Sequence, residues 1–154
     1  MSLHLCSPAC APDRHAPIRR AHSHFTIDLH AHLLTRAVEP LVADCPQKKT
    51  EPELMLRAQG AASVAHNVQT MLPNAFRKMT NLDERLRDMD AMGVDMQVLS
   101  PSPNQYYYWA EYDLAQTIVQ IQNEHVAATC ARNPNALRAS AQLRCSILSC
   151  QWRS

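Results

Sequence analysis

Residues 81–101 read NLDERLRDMDAMGVDMQVLSP and contain a helix and a strand with almost no loop between them. Asn81 and Glu84 have the spacing of a capping box, and Gly93 can adopt the left-handed conformation that ends a helix. An apolar stripe of helical spacing lies between these ends and consists of Leu82, Leu86, Met89 and Met92. The residues from 94 to 100 then form a short apolar strand that stops at Pro101. This segment therefore predicts one helix followed directly by one strand.

Similar elements are predicted on both sides of this segment. Residues 25–32 read as a buried strand, because apolar β-formers precede a polar cluster. Residues 53–72 have the weak periodicity of one or two helices. A longer helix is predicted from about 113 to 132, where the residues at helical spacing are Leu114, Ile118, Ile121, Val126 and Cys130. Strands separated by helices of this length pair in parallel, so the sequence predicts an α/β architecture.

The composition excludes several classes of protein. The chain has 154 residues, of which 46% are hydrophobic and 19% charged, and its formal net charge is +1. These values are typical of one soluble domain, and a neutral balance argues against a nucleic-acid partner. No run approaches the roughly 18 apolar residues that a membrane span needs, so no membrane partner is expected. The chain has two glycines, which makes an all-β fold rich in tight turns improbable.

The two ends differ from the middle of the chain. Residues 1–24 are rich in proline, arginine and histidine without apolar periodicity, and we expect a disordered leader. Residues 138–154 mix serine, cysteine and arginine, so the third strand that is due there is replaced by a weaker, atypical pattern. No signal peptide precedes the six cysteines, which we therefore interpret as reduced thiols in a cytoplasmic protein.

The chemistry of the chain is expected at His30 and His32. Residues i and i+2 of a strand lie on the same face, so both imidazoles project into one site where the strand ends. Two neutral imidazoles on one face can bind one divalent ion. The pair follows Asp28 and a predicted strand, whereas the similar pair His22 and His24 lies in the leader and is not expected to bind metal.

Other polar and aromatic residues have two interpretations each. Tyr107, Tyr108 and Trp109 follow the second strand and could contact an aromatic substrate, or could equally pack beneath a loop. Charged residues of the 81–93 helix could approach a site but more often face solvent; they are Arg85, Arg87, Asp88 and Asp90. His66 and His125 lie in helical segments and are more often surface or core residues than ligands.

Three ordered motifs carry a resemblance to a known family. Residues 27–32 (IDLHAH), 86–95 (LRDMDAMGVD) and 97–103 (QVLSPSP) resemble the opening of an amidohydrolase-related protein of the aminocarboxymuconate-semialdehyde decarboxylase type. The resemblance implies a (β/α)8 TIM-type barrel whose first strand supplies His30 and His32 to one zinc-like divalent ion. It also implies a small carboxylated or cyclic substrate, decarboxylated or hydrolysed, and it is compatible with a homo-oligomer.

The resemblance covers only part of a barrel. It extends from about residue 25 to 137, whereas a barrel of this type takes about 250 residues. In that family the further ligands and the catalytic histidine come from later strands, so we expect an incomplete, helix-rich N-terminal fragment that is inactive alone. A frameshift near residues 135–141 would explain the atypical tail. The alternative is a non-enzymatic helical interaction module with a vestigial metal-binding histidine pair.

Overall fold

Three parallel strands form a sheet within residues 24–142. The computed structural model describes residues 24–142. Their sheet has the order β1-β2-β3, with both neighbouring pairs parallel. The strands are β1 (Ile27–Leu33), β2 (Met96–Pro101) and β3 (Leu137–Ala139). The predicted α/β class is confirmed, while most of the leader and the tail beyond residue 142 lie outside the described residues.

Helices occupy both connections between the strands. The first connection is the longer, and the second is a single long helix preceded by a loop. The helices are α1 (Glu39–Val42), α2 (Pro46–Gln59), α3 (Ala61–His66), α4 (Leu72–Thr80), α5 (Leu82–Met92) and α6 (Tyr112–Arg132). A π-helical segment, Asn67–Met71, joins α3 to α4. The helical region expected over 53–72 therefore extends from residue 46 to residue 80.

Helix α5 has the two ends that the sequence predicts. The side chain of Asn81 accepts a hydrogen bond from the Glu84 amide at 3.1 Å, which satisfies one free donor of the first turn. Gly93 ends the helix at φ +70°, a conformation that costs glycine little and other residues more. Strand β2 follows three residues later, so the helix and the strand are tightly connected.

The main core lies between one face of the sheet and helices α5 and α6. It contains Ala31, Leu33, Met89, Leu99, Val126, Cys130 and Leu137. Met89 of α5 and Leu99 of β2 are both buried in this cluster, and burying each such side chain is worth about 1.5–3 kcal/mol. Met92, which we expected in the same stripe, is 52% exposed because it lies in the last turn of α5.

The prediction of a buried strand over 25–32 is correct for only part of β1. Ala31 and Leu33 are buried, whereas Phe25, Ile27 and Leu29 are 63%, 47% and 75% exposed. The core cluster that includes α5 and α6 takes in the carboxyl-terminal half of the strand and not its beginning. Within residues 24–142, β1 also has a single neighbour, β2, so its other edge is open.

A second, smaller core cluster lies beside the loop that follows β2. It consists of Val38, Val42, Tyr107 and Ile118. Helices α2 to α4, by contrast, contain no buried residue. No helix among the described residues is long and apolar enough to span a membrane.

The end of the described chain is more regular than expected. A third strand was due there, and it exists as β3, parallel to β2 and three residues long. The expected boundary between residues 137 and 138 lies inside this strand. Cys45 and Cys130 are free thiols, and the other four cysteines lie outside the described residues.

Candidate metal site at the end of strand β1

A local irregularity of β1 precedes the two histidines. Asp28 pairs with Gln97 and Ala31 pairs with Leu99, so two residues of β1, Leu29 and His30, stand opposite one residue of β2. This is the count of a β-bulge, which changes the direction in which side chains leave a strand. Strict alternation would place Asp28, His30 and His32 on one face. The bulge removes Asp28 from that set.

The carboxylate of Asp28 is engaged on the helix side of the sheet. Its Oδ2 accepts from Gln97 Nε2 at 2.9 Å, and Oδ1 accepts from the backbone amide of His30 at 2.9 Å. Gln97 in turn contacts a side chain of α5. Both oxygens of Asp28 therefore have protein donors, and the residue supports the strand end from behind.

His30 and His32 meet on the other face. Their Nε2 atoms are 3.1 Å apart, and the rings are edge to face with centroids 4.7 Å apart. His30 is exposed and His32 is half-buried, so the pair opens to solvent on one side. The structure thus brings together the two imidazoles that the sequence singles out.

Ser100 on the neighbouring strand contacts the ring of His32. Its hydroxyl lies 3.0 Å from Nδ1 of His32 and 3.4 Å from the Ala31 carbonyl. When the Ser100 hydroxyl donates to Ala31, it accepts from Nδ1 of His32, and the Nε2 lone pair then faces His30. Burial, and next the neighbouring His30, lower the pKa of His32, which favours the neutral ring. A neutral imidazole with its second nitrogen hydrogen-bonded is the usual form of a metal ligand.

The geometry of the pair suits one shared cation. With metal–nitrogen distances of about 2.0–2.1 Å, two nitrogens 3.1 Å apart would subtend roughly 95–100° at the ion. This angle lies between the octahedral and tetrahedral values, so both kinds of coordination can accommodate it. Among residues 24–142 there is no group of three or more His, Cys, Asp or Glu side chains that could hold a metal. Metal ligation by His30 and His32 stays a prediction, and the described residues bring no third side chain of these types into a group with them.

Arg85 lies behind the site, and the expectation that its side chain faces solvent is wrong. It is 8% exposed and donates to the His32 carbonyl at 2.6 Å and to Gln97 Oε1 at 2.9 Å. Burial lowers its pKa, although Asp28 and Asp88 favour the charged form. Its position three residues after Leu82 and four before Met89 places it on the apolar stripe of α5, and that spacing was the available signal.

The aromatic residues expected near a substrate have different surroundings. Tyr107 is 5% exposed, packs with Val38 and Ile118, and donates its hydroxyl to Glu39 at 2.8 Å. Tyr108 is 73% exposed, and Trp109 donates to Glu51 at 3.3 Å. Tyr107 thus has the packing role that we considered as the alternative. Substrate contact by Tyr107, Tyr108 and Trp109 stays a prediction.

The other charged and histidine side chains singled out in the helical segments are exposed or partly buried in the structure. Asp88 forms an ion pair with Lys78 at 2.8 Å, and Arg87 and His66 are exposed. His125 lies at a cavity of about 570 Å³ between α5, α6 and the segment after β1, and this cavity does not include the histidine pair. The Nδ1 atom of His125 is 2.9 Å from the hydroxyl of Thr35, which holds the ring against that segment.

Sequence comparisons find no relatives, and structure comparisons find several. No protein-family model matches the chain, and no curated protein matches it. A crystal structure of 5-carboxyvanillate decarboxylase from Novosphingobium aromaticivorans, with manganese and 4-hydroxy-3-methoxy-5-nitrobenzoic acid, matches with a TM-score of 0.58 at 18% identity. The match covers 79% of this chain and 34% of that one.

Two further structures agree with this match. A variant of the same enzyme, with manganese and 3-methoxy-4-hydroxy-5-nitrobenzoic acid, gives a TM-score of 0.62 at 19% identity, over 77% of this chain and 34% of that one. Dihydroxybenzoic acid decarboxylase from Polaromonas, with manganese and 2-nitroresorcinol, gives 0.50 at 22% identity, over 78% and 30%. The chain thus spans about a third of these proteins. The resemblance expected from the sequence is confirmed at the level of the fold.

Proposed function

We propose that this chain is the N-terminal part of a metal-dependent decarboxylase built on a (β/α)8 barrel. The observation that carries the proposal is the His30–His32 pair at the carboxyl end of β1, with Nε2 atoms 3.1 Å apart. Catalytic residues of such barrels lie at the carboxyl ends of the strands. The likeness to manganese-containing decarboxylases supports the same assignment.

In this proposal His30 and His32 are two ligands of one divalent ion. The ion, when bound, would polarise a substrate oxygen or bound water as a Lewis acid. We propose that the Ser100 hydroxyl accepts from Nδ1 of His32, which leaves the lone pair of Nε2 available to the ion. The half-burial of His32 excludes water from one side of the ring. The family resemblance implies zinc, and because the matched structures contain manganese, Mn²⁺ is the second ion to test.

The matched enzymes support a proposal for the substrate class. They are decarboxylases of 5-carboxyvanillate and of dihydroxybenzoic acid, and the ligands in their crystals are substituted nitro-aromatic rings. We therefore propose a small aromatic carboxylate as the substrate of the whole enzyme, with loss of carbon dioxide preferred over hydrolysis. Tyr108, exposed after β2, is the aromatic side chain of the predicted set with the most accessible ring.

Metal binding by the purified chain tests the proposal. We expect His30→Ala and His32→Ala each to weaken binding of Mn²⁺ and Zn²⁺ at least about tenfold, because each removes one of two ligands. The double variant His22→Ala with His24→Ala should bind as the unchanged chain does. Isothermal calorimetry measures all three, and the unchanged affinity is expected to be micromolar or weaker. Equal losses in all three variants would refute the site.

The same samples serve for an activity measurement. Release of carbon dioxide from 5-carboxyvanillate or dihydroxybenzoate should stay at the free-metal background, because the described residues supply two ligands where catalytic zinc sites use three. Turnover that His30→Ala abolishes would show that the chain completes the site, for example between subunits. Tight, His30-dependent binding without turnover in any longer form would favour the interaction module instead.

A further inference from the structure

We propose that Arg85 positions the His30–His32 pair, acting through Gln97 and Asp28. The inference rests on the proposed function, because it concerns the geometry of the same two histidines. It adds three residues that touch neither ring: a buried cation of α5, an amide of β2 and a carboxylate of β1. They lie on the helix side of the sheet, behind the imidazoles.

The first connection from Arg85 to the pair is direct. One nitrogen of its guanidinium, Nη2, donates to the backbone carbonyl of His32 at 2.6 Å and to the carbonyl of Lys78 at 3.0 Å. The guanidinium thereby ties the strand end of β1 to the end of α4. A hydrogen bond from a charged donor is stronger than one between neutral groups, so this contact restrains the backbone from which the His32 ring extends.

The second connection reaches His30 in three steps. Arg85 Nη1 donates to Gln97 Oε1 at 2.9 Å, and Gln97 Nε2 donates to Asp28 Oδ2 at 2.9 Å. The other oxygen of Asp28 accepts from the backbone amide of His30 at 2.9 Å. A cation at one end and a carboxylate at the other allow one orientation of the Gln97 amide. The donors therefore point from Arg85 through Gln97 to Asp28, and the His30 amide donates to the same carboxylate from the other side.

Both connections end on backbone groups of the residues that carry the imidazoles. The bulge between Asp28 and Ala31 interrupts the regular pairing of β1 with β2, and these contacts hold the backbone of β1 at that interruption. The side of the strand that they hold is opposite to the rings. Arg85 is therefore a positioning residue, whose loss should move the two Nε2 atoms apart without removing a ligand.

An exchange of amide and carboxylate tests this network. Gln97→Glu is nearly isosteric and still accepts from Arg85, but it cannot donate to Asp28 and it places two carboxylates together. Adding Asp28→Asn restores the path, since the introduced amide donates to the introduced carboxylate and still accepts from the His30 backbone. Arg85→Lys is a second way to break the network, because one ammonium cannot match the planar guanidinium. Arg87→Lys, on the exposed side of α5, is the control.

Two measurements report on the positions of His30 and His32 and on their metal binding. Long-range ¹H–¹⁵N NMR of the imidazoles in metal-free chain reports ring environment, and calorimetry reports Mn²⁺ affinity. We expect Gln97→Glu and Arg85→Lys to shift the His30 and His32 signals and to weaken Mn²⁺ binding about 10–100-fold, as losses behind a metal ligand do. The double variant should recover affinity to within about threefold of the unchanged chain. Circular dichroism checks that each variant is folded.

The outcomes separate this inference from the proposed function. Folded single variants with unchanged imidazole signals and unchanged affinity would overturn it, as would a double variant no better than Gln97→Glu. If the unchanged chain binds no Mn²⁺ through His30, the proposed function fails, and the NMR signals of the metal-free chain still decide the role of Arg85. If Gln97→Glu does not fold, Arg85→Lys and the double variant give the same decision.

Discussion

At the scale of single residues, burial decides what each charged or titratable group can do. Arg85 and Arg87 are two positions apart on α5, yet the first is buried against β1 and β2 and the second is exposed. The difference follows from the 3.6-residue period of the helix. Cations are rarely fully buried, so the charge of Arg85 predicted an exposed side chain, whereas its spacing along α5 indicated a buried one.

His125 gives a prediction for the effect of pH on stability. Burial lowers its pKa below the 6.5 of an exposed histidine, so the unfolded chain takes up a proton at higher pH than the folded chain. The unfolded state therefore binds more protons as pH falls through about 6.5, and stability decreases below that pH. Arg36, Asp83 and Arg132 line the same cavity as His125.

Urea denaturation at pH 7.5 and pH 5.0 measures this contribution. We expect His125→Gln to lose less stability between the two pH values than the unchanged chain does. His66→Gln, at an exposed position of α3, should lose as much as the unchanged chain. A pH dependence identical in all three proteins would show that His125 contributes nothing to it.

At the scale of elements, α5 was predictable and β1 was predictable only in part. The signals of α5 are local: a cap, a stripe and a terminal glycine within 13 residues. The bulge of β1 depends on its register with β2, which lies 69 residues further along the chain at Asp28 and Gln97. Periodicity was enough to predict that His30 and His32 lie on one face. The face on which Asp28 lies depends on the register with β2, so it could not be predicted from the sequence of β1 alone.

The cap of α5 is expected to contribute measurably to stability. Asn81→Ala removes the acceptor of the Glu84 amide and should lower the free energy of unfolding by about 1 kcal/mol. Asn81→Ser keeps an acceptor at the same place and should change it by a few tenths of a kcal/mol at most. Urea denaturation compares the two, and equal losses for alanine and serine would contradict a capping role.

At the scale of the whole molecule, the described sheet leaves apolar surface beside an open edge. Phe25, Ile27 and Leu29 are exposed on β1 and just before it, and β1 has one neighbour among residues 24–142. An open strand edge with apolar side chains is a site of association between chains. We therefore expect the purified chain to self-associate as its concentration rises.

Leu29→Lys should reduce that association. Removing one large apolar contact of about 1.5–3 kcal/mol corresponds to a dissociation constant about tenfold or more weaker. Sedimentation velocity over a range of concentrations measures it. Met92→Lys replaces an exposed apolar residue at the end of α5 and should leave association unchanged. If both variants associate as the unchanged chain does, the edge of β1 is not the contact.

The bulge in β1 determines where this strand can lose a residue without changing the faces of its side chains. Leu29 is one of two residues opposite a single partner, so its removal would leave Asp28 opposite Gln97 and His32 opposite Ser100. The carboxylate would stay on the helix side and both imidazoles on the other. Loss of Ala31 would instead place His30 opposite Leu99, so the His30 imidazole would shift to the helix side of the sheet. Position 29 is thus the point of the strand where one residue can be lost at little structural cost.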